Sequence, residues 1–248
     1  MVKVSEIVQK IEDFAPPVLA SEWDNSGWQV FLGDCQVKKV MIALSPEFDV
    51  IEQAVKEKCE LLISHHPLIF RKINKIQVCN QANKALIGAI QNNLQIYSAH
   101  TNLDVAQGGI ADRLAELLNL KNVETFETFA KVGSLEKEEK LDNFLQIIKE
   151  KLKISSLNVI NSGSKKTVSK IAVCPGSGGD LVDKLQDVDL YVTSDIKYHT
   201  ALEVNNTVVV DAGHFETERI ILPHLKELIS SYDIEVVIAE EKSPWKIV

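Results

Sequence analysis

The apolar positions of this chain fall into two kinds of run that take turns along it. Short, nearly unbroken apolar stretches rich in Val, Ile and Leu have the length and composition of buried strands: KKVMIALS (38–45), ELLISHHP (60–67), LQIYSAHTNLD (94–104), KIAVCPG (170–176), VDLYVTSD (188–195), NTVVVDAG (206–213) and DIEVVIAE (233–240). Between them lie segments with helical apolar spacing. Ser5 reads as the N-cap of EIVQKIEDF, and Pro16 and Pro17 stop that helix. PEFDVIEQAVKEK, ANKALIGAIQNN, GGIADRLAELLNL, SGGDLVDKLQ, IKYHTALEV and HFETERIILPHLKELISS are the other expected helices. SEWDNSGWQVFLGD is polar and Gly-containing, and reads as a loop with one short strand.

Strands that alternate with helices imply right-handed crossovers and mainly parallel sheets, hence an α/β fold. Residues 121–169 break the pattern: they are rich in Lys, Glu, Asn and Ser, with one clear amphipathic helix, LDNFLQIIKEKL, and a strand, LNVINS. The expected organisation is a first α/β half over 1–125, a connecting segment over 126–169 and a second α/β half over 170–248, with the halves free to pack as one domain. IYSAHTNLDVAQGGIADRLAELL and VVVDAGHFETERIILPHLKEL share the order strand, polar turn with His, amphipathic helix. That echo is either a weak internal duplication or the common look of β-α segments.

Composition narrows the class. The 248 residues are 45% hydrophobic and 25% charged, enough for a sizeable core. The net charge of −8 argues against non-specific binding to DNA or to an anionic membrane, so nucleic acid is not the expected partner. Four cysteines without a C-x-x-C pair fit reduced thiols rather than a disulfide framework or a four-cysteine zinc site. The N-terminal stretch carries charges throughout, unlike a signal peptide, and no apolar run reaches the roughly 20 residues that span a bilayer. A cytoplasmic location is expected.

The candidate chemistry sits where parallel sheets bind ligands, beyond the carboxyl ends of strands. His65 and His66, His100 and Asp104, Asp195, Lys197 and His199, and His214 with Glu218 all follow strands, whereas His224 lies within a helix. His65-His66-Pro67 can turn both imidazoles to one cavity if the chain leaves strand alternation there, and is otherwise a pair of turn histidines. His214 and Glu218 are four apart on one helical face, as ligands or as a cap. Asp104 is likewise ligand or cap. Together, three histidines and two carboxylates at strand ends form the inventory of a dinuclear metal site. Mixed N/O ligation permits Zn, Fe, Mn, Co or Ni. His100 and His199 are the candidates for acid–base catalysis, and Asp195 and Lys197 for orienting ligands or meeting a substrate phosphate. Trp23, Asp24, Asn25 and Gly27 read as a shaped loop, with packing or a subunit contact equally open. No Walker-type G-x-x-x-x-G-K-[ST] is present, and CPGSGGD is only a weak phosphate-loop candidate.

WDNSGWQV, LLISHHPLIF, SAHTNLD, TSDIKYH and GHFETE occur in an order and spacing that resemble the Nif-three-like proteins, also named GTP cyclohydrolase I type 2 homologues. The resemblance runs from about Ile7 to Val248. It implies that His65, His66, Asp104, His214 and Glu218 hold two divalent metal ions. It also implies two similar α/β halves around a shared cleft and a homo-oligomer, commonly a hexameric ring. The roughly 45 residues in the middle mark a short form without the family's inserted domain. The activity implied is metal-dependent hydrolysis of a nucleotide such as GTP, with opening of the purine imidazole ring. A non-enzymatic metal-binding, metal-handling or regulatory adaptor protein would use the same ligands.

Overall fold

The computed structural model describes residues 2–185 and 187–246. In it the chain forms two compact units: one runs up to Gln107 and resumes over Ile221–Lys242, and the other comprises Gly108–Ile220 with the residues from Ser243.

The first unit begins with β1 (Val2–Lys3) and α1 (Val4–Phe14), followed by β2 (Gly27–Val30), β3 (Gln36–Val37) and β4 (Lys39–Ala43). Then come α2 (Phe48–Lys56), β5 (Leu61–Ser64), α3 (Gln81–Gln91), β6 (Gln95–Ser98) and α4 (Thr101–Val105). The chain returns later with α9 (Leu222–Ile229) and β13 (Glu235–Ile238). Its five-stranded sheet has the order β13-β4-β5-β6-β2. β13, β4, β5 and β6 are parallel, and β2 runs antiparallel on the edge. β5 and β6 are buried at every position, as expected of parallel strands covered on both faces. Met41, Ala43, Leu62 and Ile96 face Val50, Ile51 and Ala54 of α2 and Ala85 and Ala89 of α3 in one core cluster. α9 packs on β4 and on α1. α1 buries Val4, Ile7, Val8 and Ile11, the spacing of one helical stripe.

The second unit holds α5 (Ile110–Leu117), β7 (Lys121–Phe126), β8 (Ala130–Lys140), α6 (Leu141–Leu152), β9 (Asn158–Ile160) and β10 (Thr167–Val173). β11 (Leu190–Thr193), α7 (Tyr198–Glu203), β12 (Val208–Asp211) and α8 (His214–Glu218) complete it. Its six strands have the order β7-β8-β10-β11-β12-β9, with β10, β11 and β12 parallel and the rest antiparallel. Alternation sorts the central strands between two cores. Ile171, Val173, Leu190, Val192, Val208 and Val210 meet Leu114 of α5 and Phe144 and Ile148 of α6. Ala172, Tyr191 and Val209 pack instead with Cys174, Val182, Leu185 and Val188.

Several expectations need correction. Residues 126–169 are not a connection: they supply all of β8 and β9 to the second sheet and α6 to its unit, and the units divide after Gln107 rather than at 125. β7 and β8 are edge-side strands, almost wholly exposed in β7 and mostly intermediate or exposed in β8, so they lack the apolar signature of a buried strand. Ser5 lies inside α1. Lys3 is the N-cap residue, its N–H held by the Glu6 carboxylate at 2.8 Å, while Ser5 N–H goes to Asp34. SGGDLVDKLQ forms only a 3-10 turn over Gly179–Lys184, because Gly178 and Gly179 weaken a full helix, and its Gln186 lies outside the described residues. The long helix expected from His214 is broken by a 3-10 turn over Arg219–Ile221. Pro223 lacks an N–H and clashes with a preceding helical turn, so it is accommodated in the first turn of a new helix, α9. Finally, β13 joins the first unit rather than closing the second. Among the described residues, no helix is long and apolar enough to cross a membrane.

Candidate metal centres

In the first unit, the ends of β5 and β6 gather three imidazoles. Ser64 and Ser98 sit side by side with hydroxyl oxygens 2.8 Å apart, and Ser64 Oγ donates to the His66 carbonyl at 2.8 Å. His65 N–H and His66 N–H are bound to the carbonyls of Ala43 and Leu44 beyond the end of β4. This network bends the chain so that consecutive side chains leave strand alternation: the His65 and His66 rings lie 4.8 Å apart, centroid to centroid. His100 approaches from the end of β6, 5.1 Å from His65 and 5.7 Å from His66. Each of the three offers a nitrogen within 4.8 Å of the others. His65 Nε2 is also 3.8 Å from Asp104 Oδ1 on α4.

Each imidazole is oriented through its other nitrogen. His65 Nδ1 is 2.9 Å from the Ala99 carbonyl, which can only accept, so Nδ1 carries the proton and Nε2 the lone pair. His66 Nδ1 meets Ser45 Oγ at 2.8 Å. His100 Nδ1 donates to Asp24 Oδ1 at 2.7 Å. Asp24 also accepts from Asn25 N–H, Ser26 Oγ, Thr101 N–H and Thr101 Oγ1. Burial resists ionisation of Asp24, but these hydrogen bonds and the charge of His100 outweigh it and hold the carboxyl well below the usual range.

The second unit carries a further pair. His214 Nε2 is 3.0 Å from Glu218 Oε2, one helical turn on, and His214 Nδ1 is 2.7 Å from Asp195 Oδ2 at the end of β11. Burial disfavours the imidazolium, yet Glu218 and Asp195 together overcome it and raise His214 to about 9. Two carboxylates around one imidazole leave an excess of negative charge that suits a cation. The wall of this site is backbone. Gly176, at φ +64°, stands so close that a Cβ there would lie 2.0 Å from Glu218 Oε1 and 3.3 Å from His214 Nε2. Gly176 N–H is held by Thr217 Oγ1, and its carbonyl accepts from Ser194 Oγ. Gly176 of CPGSGGD therefore lines the His214–Glu218 pair.

Both sets fit a divalent ion by donor chemistry: imidazole Nε2 and carboxylate oxygen, with the imidazoles fixed through Nδ1 by a carbonyl, a hydroxyl or a carboxylate. One ion bound at about 2.1 Å can hold ligand atoms no more than about 4.2 Å apart. The His65–Asp104 and His214–Glu218 separations meet that limit as they stand, and the three-histidine group lies within 4.8 Å.

Asp24 and Gly176 were not assigned these roles by sequence reasoning. Asp24 lies 76 positions from the imidazole it orients. The Pro-Gly following a buried strand was the one signal for Gly176. His199 is exposed on α7, edge-on to Tyr198, and belongs to none of the ligand groups found among the described residues. Lys197 makes an exposed ion pair with Asp180. His224 packs edge-on against Phe14 within the first unit. Burial pushes the Cys59 thiol up to about 12, which makes it an inert core residue.

Residues 2–244 match the family described as Duf34/NIF3 (NGG1p interacting factor 3). A Clostridium acetobutylicum protein named GTP cyclohydrolase 1 type 2 homolog is 36% identical over 229 residues, covering 87% of this chain and 85% of that one. The solved structure titled reduced HcgD from Methanocaldococcus jannaschii is 35% identical, with a TM-score of 0.86 and coverage of 96% and 97%. A Bacillus cereus protein related to NIF3 superposes over the whole of both chains with a TM-score of 0.91 at 22% identity, a likeness of fold alone. With its full-length match and these relatives, the chain belongs to the Duf34/NIF3 family.

Proposed function

We propose that this protein is a metal-dependent hydrolase acting on a nucleotide or related small molecule. It holds two divalent ions through His65, His66 and Asp104 in one unit and His214 and Glu218 in the other. The observation that carries the reading is the orientation of the three ligand imidazoles through Nδ1, by Ala99, Ser45 and Asp195, which leaves Nε2 of each for a ligand role. The nucleotide comes from the names borne by the relatives.

Divalent ions bound to such ligands lower the pKa of coordinated water and supply a nucleophile near neutral pH. The chain's own residues supply the rest. His100 donates Nδ1–H to Asp24, so its Nε2 can take a proton, and Asp24 stabilises the imidazolium that results. That proton can then be returned to the atom leaving the substrate. His199 is the second proton-transfer candidate, placed on the exposed face of α7. The chain is proposed to assemble as a hexamer of identical copies.

The test is consumption of GTP and of a panel of nucleotides and phosphoesters, with products identified, after loading with Zn, Mn, Fe, Co and Ni in turn. Glu218→Gln removes a ligand charge and is expected to lower metal content and abolish turnover together. His100→Ala and His199→Ala are expected to keep the metals and lower turnover about 100-fold or more. A wild type that turns over nothing with any metal returns the protein to the metal-handling or adaptor reading.

A further inference from the structure

Three rings cross at steep angles beside His65 and His66 of the first unit. Trp23 and Phe70 are 6.1 Å apart with planes at 73°, Trp23 and His100 6.1 Å apart at 81°, and Phe70 and His100 6.0 Å apart at 84°. Three nearly perpendicular planes at nearly equal spacing make the corner of a box. Two of its walls lie open: Trp23 is 64% and Phe70 56% exposed. Leaving two large aromatic side chains in water forgoes a substantial hydrophobic gain, so their arrangement calls for an occupant.

The corner is built rather than incidental. Asn25, next but one to Trp23, donates from Nδ2 to the Ile69 carbonyl at 2.7 Å, and Gln29 Oε1 accepts the Ile69 N–H at 3.0 Å. These bonds tie the Trp23 loop to the Phe70 loop. Asp24, fixed by five donors, sets His100 as the third wall.

The segment after Phe70 adds charge. Arg71, Lys72 and Lys75 fall within five positions in a chain of net charge −8. All three are exposed, and among the described residues no ion pair is recorded for any of them. Cations left uncompensated in an acidic protein, directly after an exposed ring, mark a place for an anion.

We propose that Trp23, Phe70 and His100 form a stacking corner for a planar heteroaromatic base, and that Arg71, Lys72 and Lys75 receive the phosphates attached to it. A ring stacks on one aromatic face while the other walls meet its edges, an arrangement tolerant of base identity but demanding of planarity. The basic segment then selects the phosphorylated form. The inference deepens the hydrolase reading, because the corner includes His100 and adjoins the ring nitrogens of His65 and His66. It assigns substrate binding to residues outside the ligand set.

The experiment is calorimetric binding of four probes to the full-length, metal-loaded protein: GTP, guanosine, inorganic triphosphate and a short single-stranded oligonucleotide. Trp23→Ala and Phe70→Ala are each expected to weaken GTP and guanosine at least ~5-fold and to leave triphosphate and metal content unchanged. Trp23→Phe should recover most of the loss. Replacing Arg71, Lys72 and Lys75 by Ala should weaken GTP and triphosphate and spare guanosine. GTP affinity within 2-fold of wild type in both aromatic variants overturns the proposal. So does an oligonucleotide bound more than ten-fold tighter than GTP, or a change in molecular mass on Trp23→Ala, which would make the corner a contact between copies. Binding that follows the expected pattern in a protein that turns over no nucleotide separates the two readings: the corner stands and the hydrolase falls.

Discussion

A methyl group at position 176 has no room. The Cβ it would add overlaps Glu218 Oε1 at 2.0 Å, and the backbone there already sits at φ +64°, where an L side chain costs about 1–2 kcal/mol. The carboxylate would have to shift from its place beside His214 Nε2. Gly176→Ala is therefore expected to lower metal content. Elemental analysis showing less metal than wild type checks this, and full loading refutes it. Asp24 and Asp195 show the same logic from the opposite side. Each fixes one imidazole through Nδ1, and without its carboxylate partner that ring would be free to rotate away.

Among the elements, β10 shows how one side chain repairs a sheet. Its pairing with β8 slips between Val168 and Lys170. The Asp189 carboxylate, just before β11, takes the N–H groups of Ser169 and Lys170 at 2.9 Å each and Lys165 Nζ at 2.6 Å. Burial opposes ionisation of Asp189, but these donors prevail and lower its pKa. A carboxylate whose folded pKa is depressed contributes stability that is present above the unfolded value, about 3.9, and is lost as pH falls through the folded one. Asp189→Asn should thus lower the unfolding free energy by about 1 kcal/mol at pH 7, with the difference from wild type closing as pH drops below ~4. Urea titrations at a series of pH values measure it, and a gap that persists or widens in acid contradicts the assignment. At this scale much was legible beforehand. β5, β6, β11 and β12 are buried at nearly every position and announced themselves as apolar runs. β7 and β8 did not, because exposed strands at the side of a sheet carry the polar residues of a loop.

For the whole molecule, ligands that bind the folded chain and not the unfolded one stabilise it in proportion to the logarithm of their concentration over Kd. Chelation should lower the melting temperature, and restoring a competent metal at about 100 times its Kd should recover close to 3 kcal/mol. A melting curve indifferent to both treatments would mean that the ligand sets bind no ion of consequence. Assembly is read separately, by light scattering at micromolar concentration. A mass six times that of the chain is the expected result, and a monomer removes the hexamer from the proposal.

The α/β class, the apolar central strands and the strand-end position of every candidate ligand were determined by the sequence itself, because burial on a periodic backbone writes a period into the residues. His65, His66, Asp104, His214 and Glu218 stood out as candidate ligands for that reason, and the family's motif order implied the roles proposed for them. The tertiary structure alone decided which sheet β13 joins, that residues 126–169 build part of a sheet rather than bridge two, and which residues stand behind the candidate ligands. Asp24 reaches His100 across 76 positions, Asp195 reaches His214 across 19, and Gly176 matters only through the atoms of Glu218 beside it. Such contacts follow from the path of the folded chain and have no period, so nothing local in the sequence distinguishes these residues from ordinary loop aspartates and glycines.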